Sequence, residues 1–375
     1  MEENYFNSEA VDETEKQTRA EFIKCTSCGS NMVFDPATQM LLCEHCGSTL
    51  SFEKNREVEE IAIEKAFDAT EVWNETAVLR CENCGAQITV DRENVSLECP
   101  YCGTAHVRET EEIPGVKPGS VYPFVITKDE AVARSKKWAK SKLFAPRKFK
   151  NELDEKHLRG VYQPCFTFDS KTTSSYSGRL GKRCTRMVRT RNGVRTETYI
   201  KWYNVNGTFS QAFDDVTVSA SSKIPQSKLR KLMPFDSNTI CVYEKKYLAG
   251  FYANHYDKDI RQSWKDAKSQ MDSQIRDSIR KKHNCDVVDY LNVSTNHSSV
   301  TYKYVLLPLY LLCYRYKKKN YEVTVNGNTG RVVGKSPVSF WRVLTAVVIG
   351  ACVLTGLFFL YWRLGATDTA SALLN

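Results

Sequence analysis

Eight cysteines near the N-terminus form four C-x-x-C pairs, and a glycine follows each pair. The pairs fall into two units with the pattern C-x2-C-G-x13-C-x2-C-G. Two close pairs separated by a hairpin-length spacer can converge on one tetrahedral ion. The spacing therefore predicts two structural zinc ions. Their ligands are Cys25, Cys28, Cys43 and Cys46 in the first unit and Cys81, Cys84, Cys99 and Cys102 in the second.

The surroundings of these cysteines favour zinc in a structural role. Four thiolates select zinc or iron, and the cysteine spacings of ferredoxins are absent. Four thiolates also close each site, so neither His45 nor His106 is needed as a ligand and no position is left for substrate. This interpretation is preferred to redox-active C-x-x-C motifs. The glycines suit a tight turn around the sulfur atoms; they are Gly29, Gly47, Gly85 and Gly103.

The two units are an internal repeat, since Phe22–Gly29 recurs as Val78–Gly85. Composition shifts and Pro/Gly clusters then divide the rest of the chain. The predicted organisation is a disordered acidic arm (1–20), zinc ribbon 1 (21–52), a linker helix (53–76), zinc ribbon 2 (77–110), a linker (111–120), a basic α+β domain (121–337), a transmembrane helix (338–363) and a short outer tail (364–375).

Residues 121–335 mix helical segments with runs of β-branched and aromatic residues, which predicts an α+β fold. Helices are expected over Lys128–Leu143 and Asp257–Lys282, and hairpins around Asn192-Gly193 and Asn326-Gly327. After each helix comes a proline-bearing apolar strand and then a tyrosine-rich one. A duplication is one interpretation of this pattern.

Charge is distributed unevenly along the chain. Residues 1–115 carry 9 basic and 24 acidic side chains (9 − 24 = −15), and the rest carry 44 and 20 (44 − 20 = +24). The acidic ribbons would repel a phosphate backbone, so they are expected to bind protein. The basic domain suits an anionic surface, either a membrane or nucleic acid.

Val343–Trp362 is a run of 20 residues without a charge, bounded by Arg342 and Arg363. Its length matches a bilayer span, and aromatic residues stand at its ends. A buried core helix is the alternative. Basic residues are more frequent before the run than after it, which predicts a single-pass cytoplasmic-membrane protein with a cytoplasmic N-terminus.

No catalytic constellation can be identified. Gly330–Ser336 has one residue too few between its glycines for a phosphate loop, and Pro337 follows it. The lone cysteines, Cys165, Cys184, Cys241, Cys285, Cys313 and Cys352, are assigned no role. The basic stretches Lys136–Lys150 and Arg179–Lys201 can be a solvated face, a nucleic-acid surface or a contact with an anionic leaflet, and the leaflet is favoured because of the anchor.

The chain resembles a bacterial family described as zinc-ribbon proteins of the transcription-factor-IIB type, or as primosomal helicase-like proteins. The resemblance rests on both ribbons and on the segments Val121–Phe124, Phe144–Lys150, Gly160–Pro164 and Val325–Gly330. It implies a membrane protein, and relatives that resemble partners of envelope-stress proteins imply an anchored adaptor. No ATPase motif supports a helicase activity here.

We therefore expect a membrane-anchored, non-enzymatic zinc-ribbon adaptor. Its acidic ribbons would recruit protein partners and its basic domain would face an anionic membrane surface, with no small-molecule substrate. The alternative is a membrane-tethered nucleic-acid-binding factor that uses the basic domain.

Overall fold

A computed structural model gives the architecture of the chain. It describes residues 23–68, 76–81, 84–91, 99–101, 107–109, 117–151, 153, 158–190, 193–316 and 319–372. The predicted acidic arm (1–20) lies outside these ranges, as do residues 111–116 of the predicted linker and the end of the predicted tail. Helices and strands both contribute to the described part, which confirms the prediction of a mixed α+β fold.

The first cysteine unit, here called the first module (23–50), is a four-stranded antiparallel sheet in the order β1-β2-β3-β4. Its strands are β1 (Ile23–Lys24), β2 (Asn31–Asp35), β3 (Met40–Cys43) and β4 (Thr49–Leu50). The turn between β2 and β3 is held by Asp35, whose carboxylate accepts hydrogen bonds from the backbone N–H groups of Ala37 and Thr38, each 3.1 Å long. Such an Asx-type turn fixes the register of a hairpin.

Twelve further strands form one large sheet. In chain order the elements are β5 (Ile61–Ala62), α1 (Ile63–Asp68), β6 (Thr76–Cys81), β7 (Gln87–Asp91), β8 (Val107–Glu109), β9 (Ser120–Val121), α2 (Lys128–Lys140), α3 (Arg147–Asn151), β10 (Leu158–Thr190), β11 (Gly193–Ser219), α4 (Gln226–Leu232), β12 (Cys241–Val242), β13 (Tyr252–Asn254), α5 (Ile260–Lys282), β14 (Val287–Tyr316), β15 (Lys319–Asn326), β16 (Val332–Gly334) and α6 (Phe340–Ala372). We call residues 117–334 the body.

Strands β10 and β14 form the centre of the sheet as an antiparallel pair that runs from Leu158 opposite Leu312 to Gly181 opposite Val287. β11 pairs with the other edge of β10, and β15 with the other edge of β14. α5 lies on one face of this arrangement through an apolar stripe, of which Ala267, Met271, Ile275 and Ile279 are fully buried and Trp264 is partly buried.

The body is built from two β-α-β-β units, β9-α2-β10-β11 and β13-α5-β14-β15. Thr127 and Asp259 cap the two helices, and the buried helix residues follow 4, 8 and 12 positions after each cap. Each unit's first strand lies parallel to the other unit's long strand: β9 pairs with β14 and β13 with β10. The structure thus supports the duplication.

The two prolines of the duplicated strands occupy equivalent places. Pro164 of β10 lies opposite Leu306, and Pro308 of β14 lies opposite Tyr162, so Gln163 and Leu307 mark the centre of the pseudo-symmetry. At each proline the strand changes its outer neighbour, from β13 to β11 and from β9 to β15. A proline is tolerated in a strand where its nitrogen faces no ladder partner.

Both predicted hairpins are present, but in neither of them do the Asn and Gly residues together form the predicted two-residue turn. Thr190 pairs with Gly193, so the first connection is residues 191–192, which lie outside the described part. The second loop spans 327–331, and Gly330 rather than Gly327 has a positive φ of 75°. The Asn326 side chain accepts hydrogen bonds from the backbone N–H groups of Asn328 and Thr329, so asparagine caps the loop instead of entering a two-residue turn.

The predicted linker helix (53–76) is wrong over its first part. Residues 53–60 are irregular, Ile61 and Ala62 form β5, and only Ile63–Asp68 are helical among the described residues of this segment. β5 pairs with Tyr302 and Thr301 of β14. The segment is rich in helix formers, but intrinsic helix propensity is worth less than about 1 kcal/mol per residue, and pairing with an available strand outweighs it.

α6 begins on the body and continues past the predicted span. Residues Phe340–Phe359 are long and apolar enough to cross a bilayer, and none of this window is buried. The Ser339 N–H donates to the Phe144 carbonyl (2.8 Å) and the Arg342 guanidinium to the Leu143 carbonyl (3.2 Å). Residues 364–372 of the predicted outer tail continue the helix.

A partly buried ion cluster ties the segment before β5 to the central sheet. The Lys303 ammonium lies 2.7 Å from Asp215, 3.3 Å from Glu60 and 3.9 Å from Asp169. Burial raises the pKa of Asp169 to about 6. Burial opposes the charged form of Lys303, but the hydrogen bond and charge of Asp215 outweigh it and raise the pKa of that lysine.

The raised pKa of Asp169 makes a prediction about stability. The unfolded carboxyl titrates near pH 3.9, so its contribution to stability falls as the pH rises from about 4 to 6, where the folded protein must bury the charge. The asparagine side chain of the Asp169→Asn variant does not ionise, so the variant should escape this loss. We expect the unfolding free energy of the variant minus that of the parent to increase by about 1 kcal/mol from pH 5 to pH 7.

Urea unfolding of the full chain in uncharged micelles, followed by circular dichroism, measures this difference. The exposed-site variant Asp129→Asn is the control. An Asp169→Asn effect of the same size at both pH values would contradict the prediction.

Candidate metal centres

The sulfur atoms of the first module converge on one point. The Sγ atoms of Cys25, Cys28, Cys43 and Cys46 all lie within 4.8 Å of one another. Two of the separations are 3.7 Å (Cys25 to Cys46) and 3.5 Å (Cys28 to Cys43). A tetrahedral ion with metal–sulfur bonds of about 2.3 Å requires sulfur separations of about 3.8 Å. The donor set therefore fits a tetrahedral metal ion and is far too open for disulfides.

Two equivalent turns carry these sulfurs. In each turn the N–H of the glycine after the pair donates to the carbonyl of the first cysteine, at 2.9 Å for Gly29 to Cys25 and 2.9 Å for Gly47 to Cys43. Gly29 and Gly47 have φ values of 72° and 76°, which lie in the left-handed region that favours glycine. The expected role of these two glycines is confirmed.

The thiols of the first cluster differ in acidity. Hydrogen bonds from Ser48, first from its hydroxyl and then from its backbone, lower the pKa of Cys46 to about 6. Hydrogen bonding by the Ser27 backbone lowers the pKa of Cys25. Backbone hydrogen bonding from Cys46 favours the Cys43 thiolate, but burial and the neighbouring thiols outweigh it and raise that pKa to about 11. A cluster of thiolates needs a cation to balance its charge.

The second cluster repeats the first for three of its four predicted ligands. The Sγ atoms of Cys81, Cys84 and Cys99 lie within 4.8 Å of one another, and Cys84 is 3.6 Å from Cys99. Gly85 has a φ of 67° and donates to the Cys81 carbonyl (2.7 Å), as in the first module. The fourth predicted ligand, Cys102, lies outside the described residues together with Gly103 and His106. The three described thiols can hold a metal ion.

His45 lies apart from the sulfurs. It is exposed to solvent and is not one of the groups that converge in the first module. Four thiols are present without it, so the first site has a complete tetrahedral donor set. Such a site has no open position for a reacting water or substrate, and its chemistry is limited to holding the chain together.

The second cluster is docked on the body by contacts that the sequence did not predict. The Lys223 ammonium donates to the Cys84 carbonyl. The Cys313 thiol donates to the Tyr101 carbonyl (2.9 Å), so one of the lone cysteines has a structural contact. Strand β7 pairs with β13, and the His255 N–H donates to the Gln87 carbonyl (3.1 Å). These contacts are between residues more than a hundred positions apart, which spacing cannot reveal.

Tyr101, from inside the fourth cysteine pair, reaches a buried polar network. Its hydroxyl donates to Gln163 Oε1 (3.3 Å) at the centre of the pseudo-symmetry. Asn254 Nδ2 donates to the same oxygen (3.3 Å) and to Ser221 Oγ (3.0 Å). Gln163 and Asn254 are buried, so each hydrogen bond replaces one lost to water.

The first module is docked through an aromatic contact. Phe34 packs against Tyr247 with ring centroids 5.5 Å apart, and the Phe34 N–H donates to the Ala249 carbonyl (2.9 Å). Gln39 Nε2 donates to the Phe124 carbonyl (2.6 Å). Gly250 approaches Val33 so closely that a Cβ at this glycine would lie 3.0 Å from the valine side chain. Both modules therefore share contacts with the body.

A third group of possible ligands, which sequence spacing does not predict, consists of Asp169, Asp214 and Asp215. The Lys303 ammonium lies 2.7 Å from Asp215, so a protein cation already balances this charge. Oxygen ligands suit a hard cation, but the Lys303 ammonium already contacts two of these three carboxylates, Asp215 at 2.7 Å and Asp169 at 3.9 Å. We assign this group to the ion cluster and not to a metal site.

Removing one ligand tests the two thiol clusters. We expect Cys25→Ser and Cys81→Ser each to reduce bound metal from two ions to one per chain, because an ion loses affinity when one of four thiolates is replaced. Both variants should also melt at a lower temperature, since each module packs on the body. Metal analysis of the purified full chain and a melting curve measure these effects. Cys184→Ser is the control, and unchanged metal content in both cluster variants would disprove the assignment.

Comparison with known proteins gives one informative relative. No family model matches the chain, and no solved structure matches it. The chain is 30% identical over 340 residues to the uncharacterized protein YdjG of Bacillus subtilis, with 85% of this chain and 91% of the relative covered. The chain belongs to the family of the uncharacterized protein YdjG of Bacillus subtilis.

Proposed function

We propose that this protein is a membrane-anchored adaptor whose two zinc-bearing ribbons recruit a protein partner to the cytoplasmic face of the membrane. The observation that carries the proposal is the direct hydrogen bonding of the start of α6 to the body at Leu143 and Phe144. An anchor attached in this way holds the body at a fixed position and not on a loose tether.

The surface around the start of α6 is suited to a membrane interface. Leu143, Phe144, Val338 and Trp341 are exposed there. Exposed apolar and aromatic side chains at the end of a spanning helix favour the headgroup region. Basic residues accompany them in the neighbouring segment: Lys140, Lys142, Arg147, Lys148 and Lys150. Each contributes roughly 1 kcal/mol when it lies near an anionic leaflet.

Zinc is the ion that best suits the clusters. The sulfur separations of 3.5 to 3.7 Å match four zinc–sulfur bonds of about 2.3 Å. The cysteine spacings are those of a ribbon and not of a ferredoxin. Two structural zinc ions then leave the ribbons as rigid acidic surfaces for binding.

Protein binding is assigned to the acidic part because its charge disfavours nucleic acid. Beyond the first module, Glu53, Glu57 and Glu59 are exposed on a segment without helix or strand. A basic protein partner would gain electrostatic steering from this surface, and the interaction would weaken as salt screens it. Envelope stress is the setting that the family resemblance implies.

The recruitment test uses point changes, because deleting residues 1–115 would strip docking contacts from the body. We expect Glu53→Gln/Glu57→Gln to lower partner capture from native membranes several-fold at low salt, through the loss of two negative charges. The matched control is Asp129→Asn/Asp277→Asn, which removes two acids from the body. Quantitative mass spectrometry after crosslinking, with and without nuclease, measures capture.

Capture that is equal in the acidic variant and the control would contradict recruitment by this surface. Loss of the captured proteins after nuclease treatment would contradict direct protein binding.

Truncation tests the anchor. We expect a chain that ends at Pro337 to be released from membranes by alkaline carbonate, because it lacks the apolar window of α6. The matched control ends at Arg363 and keeps that window, so it should resist extraction like the full chain. Equal resistance of both truncated chains would show that α6 is not the anchor.

A further inference from the structure

A two-stranded arm projects from the body beyond Val287, the first residue of β14. It consists of residues 182–190 of β10 paired with residues 193–201 of β11. Every described side chain of β11 in the arm is exposed, and Met187 and Val194 are 82% and 66% exposed. An isolated two-stranded hairpin is marginally stable in water, so an arm of this length indicates a partner.

The arm is strongly basic. Its described residues carry six cations and one acid, Glu197, which pairs with Arg186 at 2.8 Å. Among the described residues, no carboxylate lies within ion-pair distance of the other five cations. These are Lys182, Arg183, Arg189, Arg195 and Lys201.

An aromatic and arginine platform lies where the arm meets the three-stranded sheet; it consists of Arg179, Trp202 and Tyr290. Trp202 lies over Gly181, where a Cβ atom would come within 2.9 Å of the indole. The Arg179 guanidinium is 5.4 Å from the Trp202 ring centroid, and Tyr290 lies opposite Arg179 on β14. Covering a glycine is a structural role for the tryptophan. Exposures of 37% for Trp202 and 49% for Tyr290 still leave ring surface open to a ligand.

The platform continues into a flat polar surface on the face of the sheet opposite α5. Alternation along the strands places small hydroxyl and amide side chains on this face. They are Thr173, Ser175, Ser177, Asn204, Asn206, Thr208, Ser210, Asn292, Ser294, Asn296 and Ser298. Such groups commonly contact phosphate and sugar oxygens. Two carboxylates lie beside the platform: Asp289 is 3.6 Å from Arg179, and Asp286 accepts a hydrogen bond from the Arg183 backbone N–H (2.8 Å).

The arm and α6 lie at opposite ends of the body. Phe149, just after the segment that α6 contacts, packs against Tyr314 (5.2 Å), close to the end of β14 that pairs with the start of β10. The arm is at the other end of the 33-residue strand β10, and it begins roughly 80 Å from Leu158 along the strand at about 3.3 Å per residue. The leaflet that suits Lys136–Lys150 is therefore remote from the arm.

We propose that the platform and the arm bind single-stranded nucleic acid. Bases stack on Trp202 and Tyr290, and Arg183 and Arg189, on the same face of the sheet as Trp202, contact the phosphates. Partly exposed aromatic rings suit unstacked bases, whereas a duplex hides its base faces. Arg183 and Arg189 have no ion-pair partner among the described residues and can contact phosphates. An acidic protein is less suited, because serine and threonine are poor contributors to protein interfaces.

This activity goes beyond the adaptor function and uses different residues. The acidic surface at Glu53 and Glu57 and the thiol clusters lie outside the arm and the platform. Loss of one activity therefore does not imply loss of the other.

The test measures the affinity of the full chain in uncharged micelles for a fluorescein-labelled oligothymidylate of about 20 nucleotides, longer than one stacking site requires. We expect Trp202→Ala to weaken binding roughly tenfold and Trp202→Phe to retain most of it. Arg183→Ala/Arg189→Ala should lower the slope of log affinity against log salt by about 1.4. The matched control is Lys265→Ala/Lys268→Ala on the outer surface of α5.

Circular dichroism and metal content confirm that each variant is folded. Affinity that is unchanged in Trp202→Ala and in the double arginine variant would overturn the proposal. Two other results would also overturn the proposal, provided that oligonucleotide binding does not depend on Arg183 and Arg189. One is binding to anionic phosphatidylglycerol vesicles that depends on these arginines, and the other is self-association of the chain that depends on them.

Discussion

The antiparallel pairing of β10 with β14 is the constraint on which the rest of the structure depends. Gln163 and Leu307 lie at its centre, and the two β-α-β-β units are arranged around that point. Each unit's first strand pairs with the long strand of the other unit, so neither unit has a complete sheet by itself. Stability of one half therefore requires the other, because backbone groups left unpaired in a buried sheet are costly.

The same pairing explains how the cysteine modules become part of one structure. β7 extends the sheet from β13, next to the start of β10, and Tyr101 reaches Gln163 at the centre of the pseudo-symmetry. The first module packs Phe34 against Tyr247 and hydrogen bonds to Ala249, in the segment just before β13. A metal ion that holds either module thus also supports the surface of the body on which the module lies. The modules are better described as attached parts of the body than as independent domains.

The long strands also separate two basic surfaces that composition alone treats as one. The residues near Phe144 lie beside the start of α6, where charge and exposed apolar side chains suit an interface with lipid. The arm lies at the far end of β10, where the same charge has a different environment. The two units differ mainly in the length of their hairpins. In the first unit β10 has 33 residues and β11 has 27, whereas β15, the counterpart of β11 in the second unit, has 8. It is this added length that creates the platform and the arm.

The sequence by itself determined the cysteine clusters, the α+β class, the helices α2 and α5 and the apolar C-terminal helix. These features follow from local rules: ligand spacing, the 3.6-residue apolar period of α5, and an uncharged run as long as a bilayer is thick. The C-x2-C-G pattern even fixed the backbone of Gly29, Gly47 and Gly85. The residues of the predicted linker helix show where local rules end, because β5 formed by pairing with a strand 240 positions away. Only the tertiary structure decided the docking of Tyr101 and Phe34, the Lys303 ion cluster and the position of the arm, since each depends on long-range register that propensity does not encode.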